Sequence, residues 1–451
     1  MSTNKVPIVA IVGRANVGKS SLFNSILRRR EAIVAQEAGT TRDSIMAKAS
    51  WRGRDFWLVD TAGIKDPEDE FEFTIQEQIL QAADSADVIW VVIEADTIIT
   101  EEDRRVAKMA LKSKKPVFLV VNKRDKAPKV PIESFLKLGI KPIHATSTTQ
   151  NVGIDELLDT LIETIPKATL KEDPNRVRLA ILGRPNVGKS QLFNTLAKKQ
   201  QAIVADRAGT TRDINRTTVK YQGKEIEIMD TAGIRRNGKI EVGIEKFSVI
   251  RALSAIEQAD VCLLLIDANE SSVQLDQKIA GMIEEAGKGL ILVVSKWDAV
   301  EKDAFTHDNM TPRLRRDFEF VPWAPLIFTS SVTGQNVTKI FDLLLEVMEK
   351  RATRIKTKEI NRWLEEVTND HPPAGLKNRT PKLNYIVQES DNPSPTFKVY
   401  GAHTKFLHWS YKRFMERRIR EKYGFEGTPV KFWFFEKHVT HKHGKRPFHN
   451  G

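Results

Sequence analysis

Two stretches of this chain, "GRANVGKSS" from Gly13 and "GRPNVGKSQ" from Gly183, satisfy Gly-x-x-x-x-Gly-Lys-Ser, a pattern that leaves few folds open. The two glycines let successive backbone N–H groups turn toward one point, where the N-terminus of a following helix adds its positive end. Lysine then reaches the outer phosphates of a nucleotide, and the serine hydroxyl can hold magnesium. Such a loop needs a strand before it and a helix after it. "PIVAIVG" and "RVRLAILG" are apolar runs ending in glycine, and the residues from each lysine onward, "KSSLFNSIL" in the first copy, have helical spacing. The copies lie 170 residues apart (183 minus 13), and that offset also relates Lys19 to Lys189, Thr41 to Thr211 and Asp60 to Asp230. "GTTRD" at 39 and 209 and "DTAGI" at 60 and 230 keep it, which implies two homologous domains in tandem.

Each copy continues as alternating strands and helices. In the first, "WRGRDFWLVD", "ADVIWVVIE", "KPVFLVVNK" and "KPIHAT" read as strands, with helices over "EEDRRVAKMALK" and "GIDELLDTLIETI". In the second, "KEIEIMD", "ADVCLLLID", "KGLILVVSK" and "APLIFTS" repeat the series. The alternation predicts an α/β fold for each, a mostly parallel sheet with helices on both faces. Cys262, the single cysteine, lies within one of these runs and reads as a small buried apolar residue. "PKATLKEDPNR" has prolines near both ends and little apolar content, a linker composition. After about Lys350 the pattern changes to a smaller α/β unit, with helices over "IKTKEINRWLEEVTND" and "KFLHWSYKRFMERRIREKY" and strands over "KLNYIVQES", "PTFKVYG" and "TPVKFWFFEK". The expected division is a first P-loop domain at 1–166, a linker at 167–175, a second P-loop domain at 176–350, a small α/β domain at 351–440 and a basic tail at 441–451.

The chain has 71 Lys and Arg against 59 Asp and Glu, a formal +12. Residues 351–451 hold 21 of the former and 10 of the latter, +11, so the first 350 residues sum to +1. A basic segment of this kind points to an acidic partner, most commonly nucleic acid, or else to a solvated basic face. No apolar run is long enough to span a bilayer, and the N-terminus lacks the pattern of a secretory signal. The expectation is a cytoplasmic, monomeric protein with no membrane partner.

The P-loop assigns Gly13, Arg14, Ala15, Asn16, Val17, Gly18, Lys19, Ser20 and Ser21 to nucleotide binding in the first copy. Gly183, Arg184, Pro185, Asn186, Val187, Gly188, Lys189, Ser190 and Gln191 are their counterparts. Asp60 and Asp230 end strands, so their carboxylates can face the magnesium shell. Asp60, Thr61, Ala62, Gly63 and Ile64, with Asp230, Thr231, Ala232, Gly233 and Ile234, form the next phosphate loop. Within it Gly63 and Gly233 can offer an N–H to the γ-phosphate, which hydrolysis removes. Thr41 and Thr211 suit magnesium and γ-phosphate from the preceding loop. The magnesium set is therefore Ser20, Thr41 and Asp60, and Ser190, Thr211 and Asp230.

The P-loop alone does not choose between ATP and GTP. "NKRD", from Asn122 to Asp125, follows a buried strand, where α/β sheets place ligand loops. A carboxylate at Asp125 accepts from guanine N1 and N2, a donor pair that adenine lacks. Lys123 belongs to the same loop, and Thr146 and Ser147 to the next one. In the second copy the loop reads "SKWD", so Ser295, Lys296 and Asp298 stand in these places, with Thr329 and Ser330 after them. Serine keeps a hydroxyl but loses an amide that can bond guanine and brace the P-loop. Guanine selectivity is expected to survive through Asp298. Ala15, where the second copy has Pro185, is expected to loosen the first loop slightly.

With these motifs in place, the whole chain resembles the EngA, or Der, family of bacterial GTPases, which have two G domains followed by a KH-like domain. "LDQKIAGMIEEAGKGLILVVSKWD", "HPPAG" and "LHWSYKRFMERRIREKYGFEGTPV" carry the resemblance beyond the loops. It implies GTP hydrolysis to GDP and phosphate, coupled to maturation of the large ribosomal subunit and binding to its rRNA. It also implies that Ile64 and Ile234 occupy the place of a catalytic glutamine, and that a potassium ion held by Asn16 and Asn186 contributes instead. The implied catalytic groups are Lys19, Asn16, Thr41 and Gly63, and Lys189, Asn186, Thr211 and Gly233. One departure concerns the last domain: its single Gly-x-x-Gly, "GFEG" from Gly424 to Gly427, directly follows the long helix and leads into the last strand, and "GAHT" at Gly401 lacks the second glycine. RNA contact is therefore expected from the basic helix, through Arg413, Arg417, Arg418 and Arg420, and from the tail.

Overall fold

The computed structural model describes residues 6–28, 46–61, 79, 82, 85–96, 98–165, 176–199, 215–230, 249–270, 274–301, 306–375, 379–390 and 392–436. Thr41, Thr211, Ala62 to Ile64, Thr231 to Ile234, the 167–175 segment and the 441–451 tail lie outside the described residues.

The first domain runs β1 (Ile8–Val12), α1 (Lys19–Leu27), β2 (Met46–Trp51), β3 (Arg54–Asp60), β4 (Val88–Glu94), α2 (Glu101–Lys112), β5 (Val117–Asn122), β6 (Ile143–Ala145) and α3 (Ile154–Thr164). Its six strands order as β2-β3-β1-β4-β5-β6, parallel except for the β2–β3 hairpin. Every residue of β1 is buried, as a strand covered on both faces requires, and alternate residues feed two cores. Val9 and Ile11 join Leu22, Ile26, Leu157 and Leu161 under α1 and α3. Ile8, Ala10 and Val12 face the other way, with Val106 and Ala110 of α2. Helix α2 spans the predicted 101–112 because Thr100 caps it: its side chain accepts from the Asp103 N–H while Asp103 accepts from the Thr100 N–H.

The second domain repeats this as β7 (Arg176–Gly183), α4 (Lys189–Lys199), β8 (Asn215–Tyr221), β9 (Lys224–Asp230), α5 (Val249–Gln258), β10 (Val261–Asp267), α6 (Gln274–Glu285), β11 (Gly289–Ser295), α7 (Thr306–Asp317), β12 (Leu326–Phe328) and α8 (Lys339–Ala352). The strand order β8-β9-β7-β10-β11-β12 matches the first sheet strand for strand. Cys262 is fully buried in β10, as its apolar setting implies. Register shows where the copies part. Ile11 pairs with Asp60 and Ile181 with Asp230, both offset by 170, whereas Val88 and Val261, which begin β4 and β10, differ by 173. Three extra residues therefore lie between Asp230 and β10.

The chain divides into compact units at Met348 and Glu349, with both P-loop domains in the first unit. Within that unit α5 lies against β1, and the apolar cluster holding Ile8 and Val59 continues into Leu253 and Ile256. Glu257, buried at the end of α5, accepts from Trp57 Nε1 at 2.6 Å and from the Val6 N–H at 3.3 Å.

The second unit contains α9 (Thr357–Asp370), β13 (Lys382–Gln388), β14 (Thr396–Ala402), α10 (Trp409–Tyr423) and β15 (Lys431–Glu436). Strand β14 is central, antiparallel to β13 and parallel to β15. Ile360, Trp363 and Leu364 of α9 and Tyr411, Met415 and Ile419 of α10 pack over Ile386, Phe397 and Val399. Helix α10 begins at Trp409, four residues later than its amphipathic spacing predicts, because His408 caps it by accepting from the Ser410 N–H.

Candidate functional site

Each P-loop leaves a central strand and enters a helix through a fixed set of left-handed residues. Asn16 and Asn186 have φ of 64° and 62°, and Gly18 and Gly188 have φ of 94° and 96°. The loops therefore share one conformation, and exchanging Ala15 for Pro185 leaves it unchanged. Gly13 is required by crowding as well as by φ, since a Cβ there would stand 2.3 Å from the Val92 carbonyl oxygen. No acidic residue occupies the first turn of α1, so nothing local cancels its positive end.

Lys19 is buried, and its ammonium donates to the carbonyls of Gly13, at 2.8 Å, and Arg14. Lys189 does the same toward Gly183, at 3.1 Å, and Arg184. The cation is thus stored inside the loop that cradles the phosphates. Ser20 Oγ donates to Asp60 Oδ2 in the first copy, and Ser190 Oγ to Asp230 Oδ2 at 3.1 Å in the second. Both carboxylates are buried at strand ends. A hydroxyl and a carboxylate converging beside a phosphate loop are the hard oxygen donors that magnesium takes, so the residues fit that ion. Thr61 pins the start of the DTAG loop by donating to the Ile11 carbonyl at 2.7 Å.

The base-side loops also come together. Lys123 and Lys296 are both left-handed, with φ of 59° and 56°. Their ammonium groups pair with the acids that end the neighbouring strands, Lys123 with Glu94 at 2.7 Å and Lys296 with Asp267 at 2.6 Å. Burial works to raise the Asp267 carboxyl, but the hydrogen bond from Lys296 and the Asn269 N–H outweigh it and hold the group below the usual carboxylate range. Lys123 also donates to the Asn16 carbonyl at 2.7 Å, tying the base loop to the P-loop. Asn122 donates to the Val17 carbonyl at 3.1 Å and accepts from Thr146 Oγ1 at 3.2 Å. Ser147 donates to Asp125 at 2.6 Å, and this bond is the main reason that the Asp125 carboxyl lies below its ordinary value.

Ser295 behaves differently from the sequence expectation. The bracing contact is kept: its hydroxyl lies 2.7 Å from the Val187 carbonyl and 3.1 Å from that of Ile266. One hydroxyl proton serves only one acceptor at a time. What is lost is the link onward, because Thr329 donates to the Val294 carbonyl at 3.3 Å rather than to residue 295. Space is lost too. A Cβ on Gly18 would meet the Asn122 amide at 2.3 Å, whereas one on Gly188 would find nothing within 4 Å. Ser295→Asn should therefore fit, supply the missing amide and raise guanine-nucleotide affinity by about 2- to 10-fold, the worth of one neutral hydrogen bond. Calorimetry on the full chain with the first site silenced by Lys19→Ala measures it, and an unchanged affinity would refute the hydrogen-bond account.

The P-loop arginines have partners that the motifs do not name. Arg14 pairs with Asp103 at 3.0 Å, and Arg184 with fully buried Asp276 at 3.1 Å and with Glu270 at 3.2 Å. Their side chains lock the loop to the first turn of α2 and α6, so the loop's backbone is what remains to face a ligand. Asp103 and Asp276 are related by 173, and aligning the copies with the three-residue shift would have revealed them.

Two segments, residues 8–123 and 178–296, match a family described as "50S ribosome-binding GTPase". Residues 354–434 match the C-terminal "KH-domain-like of EngA bacterial GTPase enzymes". Over 431 residues the chain is 43% identical to the GTPase Der of Agathobacter rectalis, covering 94% of this chain and 97% of that protein. It is 44% identical over 434 residues to the GTPase Der of Chloroflexus aggregans, with 94% and 96% covered. The architecture, both sets of site residues and this full-length similarity place the chain in the EngA (Der) family of GTPases, with two guanine-nucleotide domains in tandem and a KH-like domain after them.

Proposed function

We propose that this GTPase is a two-site switch acting in maturation of the large ribosomal subunit. Similarity of both G domains to a family described as binding the 50S ribosome supports this reading most directly. Each site carries the groups for its part. Lys19 and Lys189 neutralise the outer phosphates, and Gly63, Gly233, Thr41 and Thr211 contact the γ-phosphate until it is lost. Ser20, Thr41 and Asp60, and Ser190, Thr211 and Asp230, would hold magnesium, which would supply neutralising charge to the phosphates. Asp125 and Asp298 read guanine, with Thr146, Ser147, Thr329 and Ser330 closing the base side. The domains are taken to meet in a linker at 167–175 and near residue 350.

RNA affinity is assigned to α10 and the tail, though not equally to its arginines. Arg420 is committed to the fold: it pairs with Glu416 at 3.0 Å and donates to the carbonyls of Phe425, at 2.7 Å, and Thr428, at 3.0 Å. Arg418 pairs with Asp370 at 3.3 Å and Glu421 at 3.1 Å. Arg413, stacked 4.9 Å over Trp409, is left for phosphate, and the more exposed Arg417 has only a long, solvent-screened contact with Glu421, at 3.8 Å, that phosphate can displace. The chain is read as a monomer in the cytoplasm, and no described helix is long and apolar enough to cross a membrane. The test is co-sedimentation with purified large subunits together with GTP turnover. Nucleotide-dependent binding and turnover stimulated by the particle are expected. Turnover no faster than release from the particle would make the protein a scaffold.

Hydrolysis is expected to run faster in potassium than in sodium chloride. The motivation is the isoleucine at 64 and 234, which cannot orient water, with Asn16 and Asn186 as the cation ligands. Both asparagine side chains are exposed, and neither makes a hydrogen bond among the described residues, so both are free to turn a carbonyl oxygen toward a cation. Equal rates at matched ionic strength would remove potassium from the mechanism.

A further inference from the structure

The near-neutral sum of the first 350 residues conceals a strongly basic segment. Residues 104–141 hold twelve Lys and Arg against Asp125 and Glu133, a net of +10. Part of that charge meets across one groove of about 460 Å³, between α2 and the 3-10 turn at Ile132–Leu138. Its lining is Arg104, Lys108, Leu111, Lys112, Lys137 and Leu138. The four cations are exposed, and among the described residues neither Lys108, Lys112 nor Lys137 pairs with a carboxylate. Arg104 has only the exposed Glu101, at 3.8 Å.

The repeat supplies its own control. With the 173 offset that relates Asp103 to Asp276 and Asn122 to Ser295, Arg104 corresponds to Gln277, Lys108 to Gly281, Leu111 to Glu284 and Lys112 to Glu285. The same helix of the same fold thus holds a nucleotide loop in place without these cations, so the G domain does not need them. In the second copy that end of the helix has another use: Glu285 accepts from the Lys48 N–H of the first domain at 3.4 Å. The groove also lacks the mark of a nucleotide pocket, having neither a P-loop nor a base loop in its lining.

We propose that this groove is a second RNA-binding site, which tracks the phosphate backbone of double-stranded RNA. Arg104, Lys108 and Lys112 follow at i, i+4 and i+8, about 6 Å apart along the helix axis. That spacing is comparable to the step between successive phosphates of one strand. No aromatic ring lines the groove, so it has no platform for an unstacked base, and a duplex whose bases are already stacked suits it better than a single strand. Lysines act here as point charges and read no sequence. The groove and α10 share no residues and belong to different units of the chain, so each can be altered by substitution without the other.

The test uses the full chain, a blunt RNA duplex of about 16 base pairs and purified large subunits. Lys108→Gln, Lys112→Gln and Lys137→Gln are combined, and Lys220→Gln, Lys224→Gln and Lys339→Gln, all exposed on the second domain, remove the same charge elsewhere. Duplex affinity in the groove variant is expected to fall about 10- to 100-fold at 0.1 M KCl, with the slope of log K against log salt shallower by about 2 to 3. The control should change far less, and GTP turnover without RNA should be unchanged in both, which reports that the fold is intact. Equal losses in the two variants would make the effect one of net charge alone and overturn the site. Unchanged duplex affinity with weaker large-subunit binding would identify a protein partner and overturn the RNA assignment. No change in either would leave a solvated face.

Discussion

Asp125→Asn is expected to lower guanine-nucleotide affinity at the first site by about 3 to 5 kcal/mol, or about two to four orders of magnitude. The carboxylate accepts from both N1 and N2 of guanine. An amide offers one acceptor and turns an N–H toward the other donor, so one charge-assisted bond is lost and the second is opposed. Xanthine carries a carbonyl where guanine carries the N2 amine, so the variant should gain affinity for xanthosine nucleotides in exchange. Asp298→Asn should act likewise at the second site. Titration of the full chain with each nucleotide measures this, and wild-type competition by ATP equal to that by GTP would contradict it. The pH dependence has a definite sign. The hydroxyl of Ser147 holds the Asp125 carboxyl below its ordinary value of 3.8, so its contribution is fully present above that pH and is lost as pH falls through the lower folded value. Affinity due to this group should therefore be flat between about pH 5 and 8.

Lys19→Ala and Lys189→Ala are the second large expectation. Each lysine is buried within its loop, and the proposed mechanism has its ammonium donate to the outer phosphates. Loss of a charge-assisted contact in such a site, one that strengthens as charge develops in the transition state, should slow hydrolysis there by about 10²- to 10³-fold. Single-turnover rates in the two variants should then each report one surviving site. A single-site variant that hydrolyses as fast as the wild type would mean that the site it lost had contributed no turnover.

The fold was legible because alternation of buried strands and amphipathic helices is a strong signal, and because the repeat supplies each assignment twice. The boundaries of α10 were less so. Its apolar spacing extends back to Lys405, but Thr404–Phe406 forms a 3-10 turn, Leu407 bridges to Gly375 and His408 caps the helix, contacts that periodicity does not encode. At the site, the P-loop residues and the Asp125 loop follow from chemistry that tolerates few substitutes. Ser295 did not follow as well. A serine in place of an asparagine reads as a lost brace, yet its hydroxyl lies 2.7 Å from the same P-loop carbonyl. The ion pairs of Arg14 and Arg184 with Asp103 and Asp276 cross about 90 residues and were hidden by the three-residue shift between the copies. Summed charge also misled: +1 over 350 residues averages +10 at residues 104–141 with −9 over the rest.

The central claim is that two nucleotide sites govern binding to the large ribosomal subunit. The most direct measurement is large-subunit affinity of the full chain with a non-hydrolysable GTP analogue or GDP, for wild type, Lys19→Ala and Lys189→Ala, across a salt series. Binding should weaken with salt, log K falling by about 0.7 to 0.9 per phosphate contacted. Affinity should also differ between the two nucleotides in the wild type, and each lysine variant should remove a different part of that difference. Affinity that falls with salt but is the same in every nucleotide state and in both variants would show a constitutive RNA anchor and contradict the switch.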